Sequence, residues 1–304
     1  MKQKSKLTVT IGIPAYNEEE NINRLLRFLA TQRQKKISIQ KIIVVSDGST
    51  DKTVAEVKKF KDKRILCIES DQRLGKPSRL NQLFAAVNSE ILVIIDADTI
   101  CPDPLTIEKL VSKFRLKNNI GLVTGNTQPL PGRTFIEESI NNYIDARNRA
   151  EKYFDIGKTA YSTRGFLAYS RGFLKNFRIP VDILNDDAYS YFTCISSEWK
   201  HVYAKNAIAY YRLSGSMSDY SRQIIRYMRG GQQLHKYFEG KQVSGAIKIP
   251  LKIALRILIY QLLHNPIGYI VLKTVFLYSY LYFRLSNKKY EVKWQSIRTT
   301  KSIV

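Results

Sequence analysis

The chain has 304 residues, 44% hydrophobic and 25% charged, which excludes a disordered polymer and leaves room for one large or two small cores. Three scattered cysteines (Cys67, Cys101, Cys194) and three histidines (His201, His235, His264) lack CxxC or other ligand spacing. This excludes a disulfide framework and a zinc site, and points to a reducing compartment. The formal charge is +23, and from Lys200 onward 18 Lys and Arg stand against 3 Asp and Glu, so the expected partners are anionic.

The N-terminal MKQKSKLTVT is basic without an apolar core, so no secretory signal is expected. The first half then alternates. Thr8–Ile13, Lys41–Asp47, Arg64–Ser70, Ile91–Asp96 and Gly121–Asn126 are predicted strands, and 18–33, 51–60, 77–88 and 104–117 have helical spacing. Such alternation implies an α/β fold, a mostly parallel sheet with helices on both faces. Residues 133–215 are mixed, and 216–238 read as one helix rich in Arg and Gln. Pro250–Phe283 is strongly apolar and split at Asn265–Pro266; its second piece, Ile267–Phe283, holds one charge, Lys273, and Arg284, Lys288 and Lys289 follow. Three readings fit this stretch: a transmembrane or re-entrant hairpin, interfacial helices, or a buried helix pair.

Several segments carry chemistry. IGIPAYNEEENI is a strand, a Pro-marked turn and an acidic helix start, with Asn17 placed to cap and Glu18–Glu20 suited to the helix dipole. In VVSDGSTD, Asp47–Gly48 makes a tight turn, Ser49 or Thr50 is placed to cap, and Asp47 can accept from a base N–H or a ribose hydroxyl. RLGKPSRLNQLF sets Lys76 before a helix as a phosphate or sugar contact, although it is not a Walker A loop. ILVIIDADT closes an uncharged strand with Asp96 and Asp98, two hard oxygen ligands for Mg²⁺ or Mn²⁺ beside a nucleotide's phosphates.

Further along, STRGFLAYSRGFL contains Gly165, which lets a substrate approach the backbone closely. ILNDDAYSYF places Asp186 and Asp187 side by side. Their repulsion raises at least one pKa, as a general base requires. In SRQIIRYMRGG, Arg222, Arg226 and Arg229 at i, i+4 and i+7 share a helix face suited to a diphosphate, with Gln223 and Tyr227 on the adjoining face.

Taken in order, PAYNEEENI, SDGSTD, GKPSRLNQ, DADT, Gly165–Arg171, NDDAY and QIIRY resemble family 2 glycosyltransferases with the GT-A fold, over about residues 7–231. The resemblance implies that Pro14, Tyr16 and Glu18 line the nucleotide site, with Asp47 on the base. It implies that Asp96 and Asp98 form the family's DxD, holding Mn²⁺ or Mg²⁺ and the donor diphosphate. Asp186–Asp187 looks like the family's Glu-Asp pair, whose second member is the base, and Gln223, Arg226 and Tyr227 look like its QxxRW motif. Tyr227 replaces the motif's Trp, Ser46 stands where many members have a first Asp, and Asp186 replaces Glu. With a short apolar hairpin in place of several spans, a single sugar transfer is expected; a processive polysaccharide synthase is the alternative.

The expected organisation is a GT-A catalytic domain over 1–240, with a nucleotide-sugar half over 1–125 and an acceptor half over 126–240, followed by a membrane-associating helical tail over 241–304. The expected function is inverting, metal-dependent transfer from a nucleotide sugar, UDP-sugar favoured, to a hydroxyl or phosphate of an acceptor that is lipid-linked, such as a polyprenyl phosphate, or a growing glycan. The expected place is the cytoplasmic face of an anionic membrane. A sugar nucleotidyltransferase and a non-catalytic polyanion-binding protein are the competing classes. No nucleic-acid motif with aromatic stacking positions is present, so nucleic acid is not an expected partner.

Overall fold

The computed structural model describes residues 5–150, 159, 164–240, 243–244, 249–286 and 292–293. Its strands are β1 Leu7–Ala15, β2 Ile37–Ser46, β3 Ile65–Ile68, β4 Ile91–Ile95, β5 Ile120–Pro129, β6 Phe166–Ser170 and β7 Lys200–Tyr211. Its main helices are α1 Ile22–Ala30, α2 Thr53–Lys58, α3 Lys76–Ala86, α4 Thr106–Val111, α5 Phe135–Ala150, α6 Arg171–Leu174, α7 Asp186–Ile195, α8 Met217–Leu234, α9 Leu251–His264 and α10 Pro266–Leu285.

Among the described residues the strands form one sheet in the order β3-β2-β1-β4-β6-β5-β7. Only β6 runs against its neighbours, antiparallel to both β4 and β5. The sheet is covered on both faces, which is why its strands read as continuous apolar runs. In β4, Ile91, Val93 and Ile95 enter one core with Leu25, Leu26 and Ile107; Leu92 and Ile94 enter the other with Leu83, Phe84 and Phe192.

The order 3-2-1-4 contains a switch point. From β1 the chain moves to β2 and β3 on one side, and β4 then lies on the other. Loops leaving the carboxyl ends of β1 and β4 diverge there and open a crevice. A second placement follows from register. Ile95 of β4 pairs with Phe166 of β6, so Asp96 and Gly165 meet at the same edge. The ladder's next bond joins them: Asp96 N–H donates to Gly165 C=O at 3.0 Å.

Two expected helix caps differ. Asn17 does not cap α1, which starts at Ile22. Instead Asn17 adopts a left-handed conformation, φ 53°, and its Oδ1 accepts from Thr50 N–H at 2.8 Å, tying the loops after β1 and β2 together. Neither Ser49 nor Thr50 caps α2; Asp51 Oδ1 accepts from Thr53 N–H at 3.0 Å.

The apolar C-terminal stretch forms two helices broken at Asn265–Pro266, as expected, and Asn265 Oδ1 caps α10 by accepting from Gly268 N–H. It is not a buried helix pair. One stripe of α9, Ile253 and Ile257, packs on Ala146 and Ala150 of α5, and Leu272 of α10 packs on Ile136, Ile140 and Ile144. The opposite faces are open: Leu251 and Leu263 are each 75% exposed and Leu285 82%. By length and composition alone, α10 is long and apolar enough to cross a membrane. Lys288 and Lys289 lie outside the described residues.

Candidate active site

The crevice edge collects residues from four strand ends. Pro14 lies at the end of β1 opposite Val45. Tyr16 follows it, and the Arg73 guanidinium lies 3.8 Å from its ring centroid. Glu18 N–H donates to Thr53 Oγ1 at 2.7 Å, and Glu18 Oε2 accepts from Asn21.

Asp47, after β2, is a node of the loop that leads into α3. Its Oδ1 accepts from Leu74 N–H at 2.8 Å and from Arg79 Nε at 2.7 Å, and its Oδ2 accepts from Gly75 N–H at 2.9 Å. Asp47 and Arg79 are both buried. This ion pair, invisible in the spacing, holds the loop that delivers Lys76. Gly75 has φ 92°, and a Cβ on it would lie 2.8 Å from Val292 Cγ1, so Val292 lies against this loop.

Lys76 opens α3, and its Nζ lies 2.8 Å from Asp96 Oδ1 and 3.2 Å from Asp186 Oδ2. Burial works against its charge, but Asp186, Asp96 and Asp187 more than offset it and hold the ammonium well above the ordinary lysine range. The two aspartates expected as a pair do not cap α7; Asn185 does, accepting from Ala188 N–H. Both stand in the helix's first turn instead. Asp186 is buried and turned to Lys76, while Asp187 Oδ2 accepts from Gly165 N–H at 2.9 Å. Among the described residues Asp187 Oδ1 has no hydrogen-bond partner. Burial and the neighbouring Asp186 push the Asp187 carboxyl up to about 7.

Gly165 is therefore shared. Its N–H holds Asp187, and its C=O takes Asp96 N–H. The expectation that Gly165 admits a substrate to the backbone gives way to a closer neighbour, because a Cβ there would stand 2.3 Å from Asp96 Oδ2. Ser162 and Thr163 of the same motif lie outside the described residues.

Among the described residues the arginines of α8 reach different partners. Arg222 pairs with Asp219 of its own helix. Arg226 donates to Leu184 C=O at 3.2 and 3.0 Å, bracing the loop before Asp186. Arg229 donates to Ser286 C=O and Oγ at 3.2 and 2.8 Å, at the end of α10, where a diphosphate contact was expected. Gln223 accepts from Ser214 Oγ and donates to the exposed Tyr227 Oη at 3.2 Å. Spacing put the three guanidiniums on one face, but Arg222 turns to its own helix while Arg226 and Arg229 meet different tertiary partners.

The profile of Glycosyl transferase family 2 matches residues 10–177, more than half of the chain. The chain belongs to this family. Among curated relatives, the poly-beta-1,6-N-acetyl-D-glucosamine synthase of Staphylococcus aureus (strain COL) is 31% identical over 120 residues, 39% of this chain and 28% of that protein. The glucosyl-3-phosphoglycerate synthase of Mycolicibacterium smegmatis is 29% identical over 126 residues, 40% of this chain and 41% of that protein. The chain thus spans less than half the length of these relatives. A mannosyltransferase from Pyrobaculum calidifontis, solved with GDP-Man and Mn²⁺, superposes with a TM-score of 0.67 at 16% identity, covering 94% of this chain and 89% of that one. The fold is GT-A.

A family 2 chain raises the question of a metal, and Asp98 bears on it. Burial, then Glu18 and Asp96, push its carboxyl from the ordinary 3.8 to about 8, with Lys76 only partly opposing. Such a surplus of confined negative charge suits a hard divalent cation. Among the described residues no three His, Cys, Asp or Glu side chains are arranged to hold a metal ion by themselves. The protein's share would be Asp96 and Asp98, with phosphate oxygens and water completing the shell, as is usual for Mg²⁺.

The Gly165 junction gives a direct test. Gly165→Ala forces φ 53° on an L-residue and drives Cβ into Asp96 Oδ2. The backbone term alone costs about 1–2 kcal/mol. A lower denaturant midpoint is expected together with loss of transferase turnover; a variant matching the parent in both would mean that the junction is not needed.

Proposed function

We propose that the chain transfers a sugar from a nucleoside diphosphate sugar, UDP-sugars first, to a hydroxyl of a lipid-linked or growing glycan acceptor at an anionic membrane, with inversion. The observation that carries this reading is the Gly165 junction, which ties Asp96, read here as the diphosphate-side carboxylate, to Asp187, read as the base.

In this reading Tyr16 and Asp47 border the nucleotide, and Asp96 and Asp98 hold a divalent cation. That cation supplies charge neutralisation at the diphosphate. Lys76, kept charged by its carboxylates, faces the same phosphates. Asp187 Oδ1 removes the acceptor hydroxyl's proton as that oxygen bonds to the anomeric carbon. The bond from that carbon to the diphosphate oxygen breaks on the opposite side, and a nucleoside diphosphate leaves with the electron pair. Gly165 N–H keeps Asp187 aimed throughout. Arg226, on Leu184 C=O, and Gln223 with Tyr227 form the acceptor-side wall, the counterpart of the family's QxxRW.

The membrane part rests on the exposed faces of α9 and α10. These set Leu251, Leu255, Ile259, Phe276 and Leu281 beside the exposed cations Lys252, Arg256, Lys273 and Arg284. An apolar face rimmed by cations suits an interface with anionic lipid.

The test is nucleoside diphosphate release. Protein bound to phosphatidylglycerol vesicles and given membrane extract is offered UDP-, GDP- and dTDP-sugars with Mn²⁺, Mg²⁺ or EDTA. Release from one donor, lost with EDTA and accompanied by flotation with the vesicles, is expected. Release insensitive to EDTA would remove the metal, and activity without vesicle binding would remove the membrane.

A further inference from the structure

One cation beside this site has no role in that scheme. Arg164 directly precedes Gly165, whose N–H is donated to Asp187. Its Nη1 donates to Tyr211 Oη at 2.9 Å. Among the described residues the guanidinium has no carboxylate partner, although Asp96, Asp186 and Asp187 lie close to the same turn. Those acids are turned to Lys76 and to Gly165 N–H. The electrostatic neighbours of Arg164 are phenols instead: Tyr211 at the end of β7, Tyr227 of α8 and Tyr143 of α5.

A guanidinium cannot shed its proton, and a part-buried one facing neutral groups lacks a counter-charge. Two of these phenols retain a proton to donate. Tyr211 Oη accepts from Arg164, and Tyr227 Oη accepts from Gln223 Nε2, so each keeps its own O–H for another acceptor. A guanidinium fork bonded to one phenol, with a second among its electrostatic neighbours, suits the oxygens of a phosphate. The approach also has a direction. Tyr143, Tyr211 and Tyr220 pack in one cluster with Val271 and Leu272 of α10, so the group lies between the base and the helix whose outer face is apolar and exposed.

We propose that Arg164, with the hydroxyls of Tyr211 and Tyr227, binds a phosphate group carried by the acceptor, beside the hydroxyl that Asp187 activates. The proposal rests on the reading of Asp187 as base, and it makes the acceptor a phosphorylated molecule rather than a neutral glycan end. A free phosphate ester and a lipid headgroup present the same chemistry.

The test is calorimetric titration at constant ionic strength. UDP with Mn²⁺ is titrated first, which reads the donor site independently. With that site saturated, inorganic phosphate, glycerol 3-phosphate and dihexanoyl phosphatidylglycerol below its micelle concentration are titrated in turn. The parent protein is expected to bind at least one of the three, and Arg164→Gln to weaken that binding by about tenfold or more while leaving UDP affinity unchanged. Tighter binding of glycerol 3-phosphate identifies a soluble ester, and tighter binding of the short-chain lipid identifies a headgroup. Parent protein that binds none of the probes, or Arg164→Gln that binds them as tightly as the parent, overturns the proposal. Should Arg164→Gln not fold, Arg164→Lys keeps the charge but loses the fork, and the expected loss is several-fold; no loss is again decisive against it. Failure to bind UDP counts against the donor reading, and the phosphate titrations still answer the question about Arg164.

Discussion

Asp187→Asn lowers turnover by roughly 10²–10⁴-fold and leaves nucleotide-sugar binding unchanged. The substitution keeps the side chain's shape and an oxygen able to accept from Gly165 N–H, so the junction with Asp96 survives. What it removes is the capacity of Oδ1 to take a proton. The pH profile supplies a second, independent signature. Burial and Asp186 raise the Asp187 carboxyl to about 7, so the parent's kcat/KM rises with pH as this group ionises and levels off above it. In Asp187→Asn that limb disappears and the residual rate is flat across the same range. Measured turnover within a few-fold of the parent, or a surviving limb near pH 7, would assign the proton to another group; Asp186, buried and turned to Lys76, is then the first to examine.

Much of this edge was legible in the sequence because strand ends announce themselves. An uncharged run that stops at two aspartates can hardly be other than a buried strand delivering carboxylates to a sheet edge, and β4 does so. What spacing could not reveal were pairings made across distance. Asn17 reads as a helix cap because caps are local, yet it bonds with a loop 33 residues away. The arginines of α8 share a face by helical period, but where the guanidiniums of Arg226 and Arg229 go depends on Leu184 and Ser286, which the period does not know. Nothing in the spacing marks Arg79 or Arg164; only the fold gives the first a buried aspartate and the second phenols as neighbours. The antiparallel insertion of β6 was likewise hidden, and it is what brings Gly165 to Asp96. Which residues stand at this edge was thus readable from local pattern, while the link of Asp96 to Asp187 through Gly165 was written in register.

Asp98→Ala weakens Mn²⁺-dependent nucleotide-sugar binding by at least about 100-fold, since even groups one shell beyond a metal are worth about 10–100-fold. The same substitution should stabilise the protein in the absence of metal, and this opposition separates a ligand from a structural residue. Asp98 is crowded by burial, Glu18 and Asp96, which raise its carboxyl from 3.8 to about 8. For an acid whose pKa is raised on folding, the folded state binds more protons than the unfolded chain between those two values. The destabilising contribution is therefore absent below about pH 4, grows as pH rises, and is complete above about 8. The metal-free variant should melt above the metal-free parent at pH 8, and the two should converge at pH 4. Adding Mn²⁺ and UDP at pH 8 should reverse the order, because the parent alone regains stability from bound ligand. The turn that carries Asp98 is held separately, by Thr99 N–H on Asp96 C=O at 3.1 Å and by Ile100 bridging Tyr210, so loss of the carboxylate leaves it in place. A variant that melts lower than the parent without metal, or that still binds donor only when Mn²⁺ is present, would place the cation elsewhere on this edge.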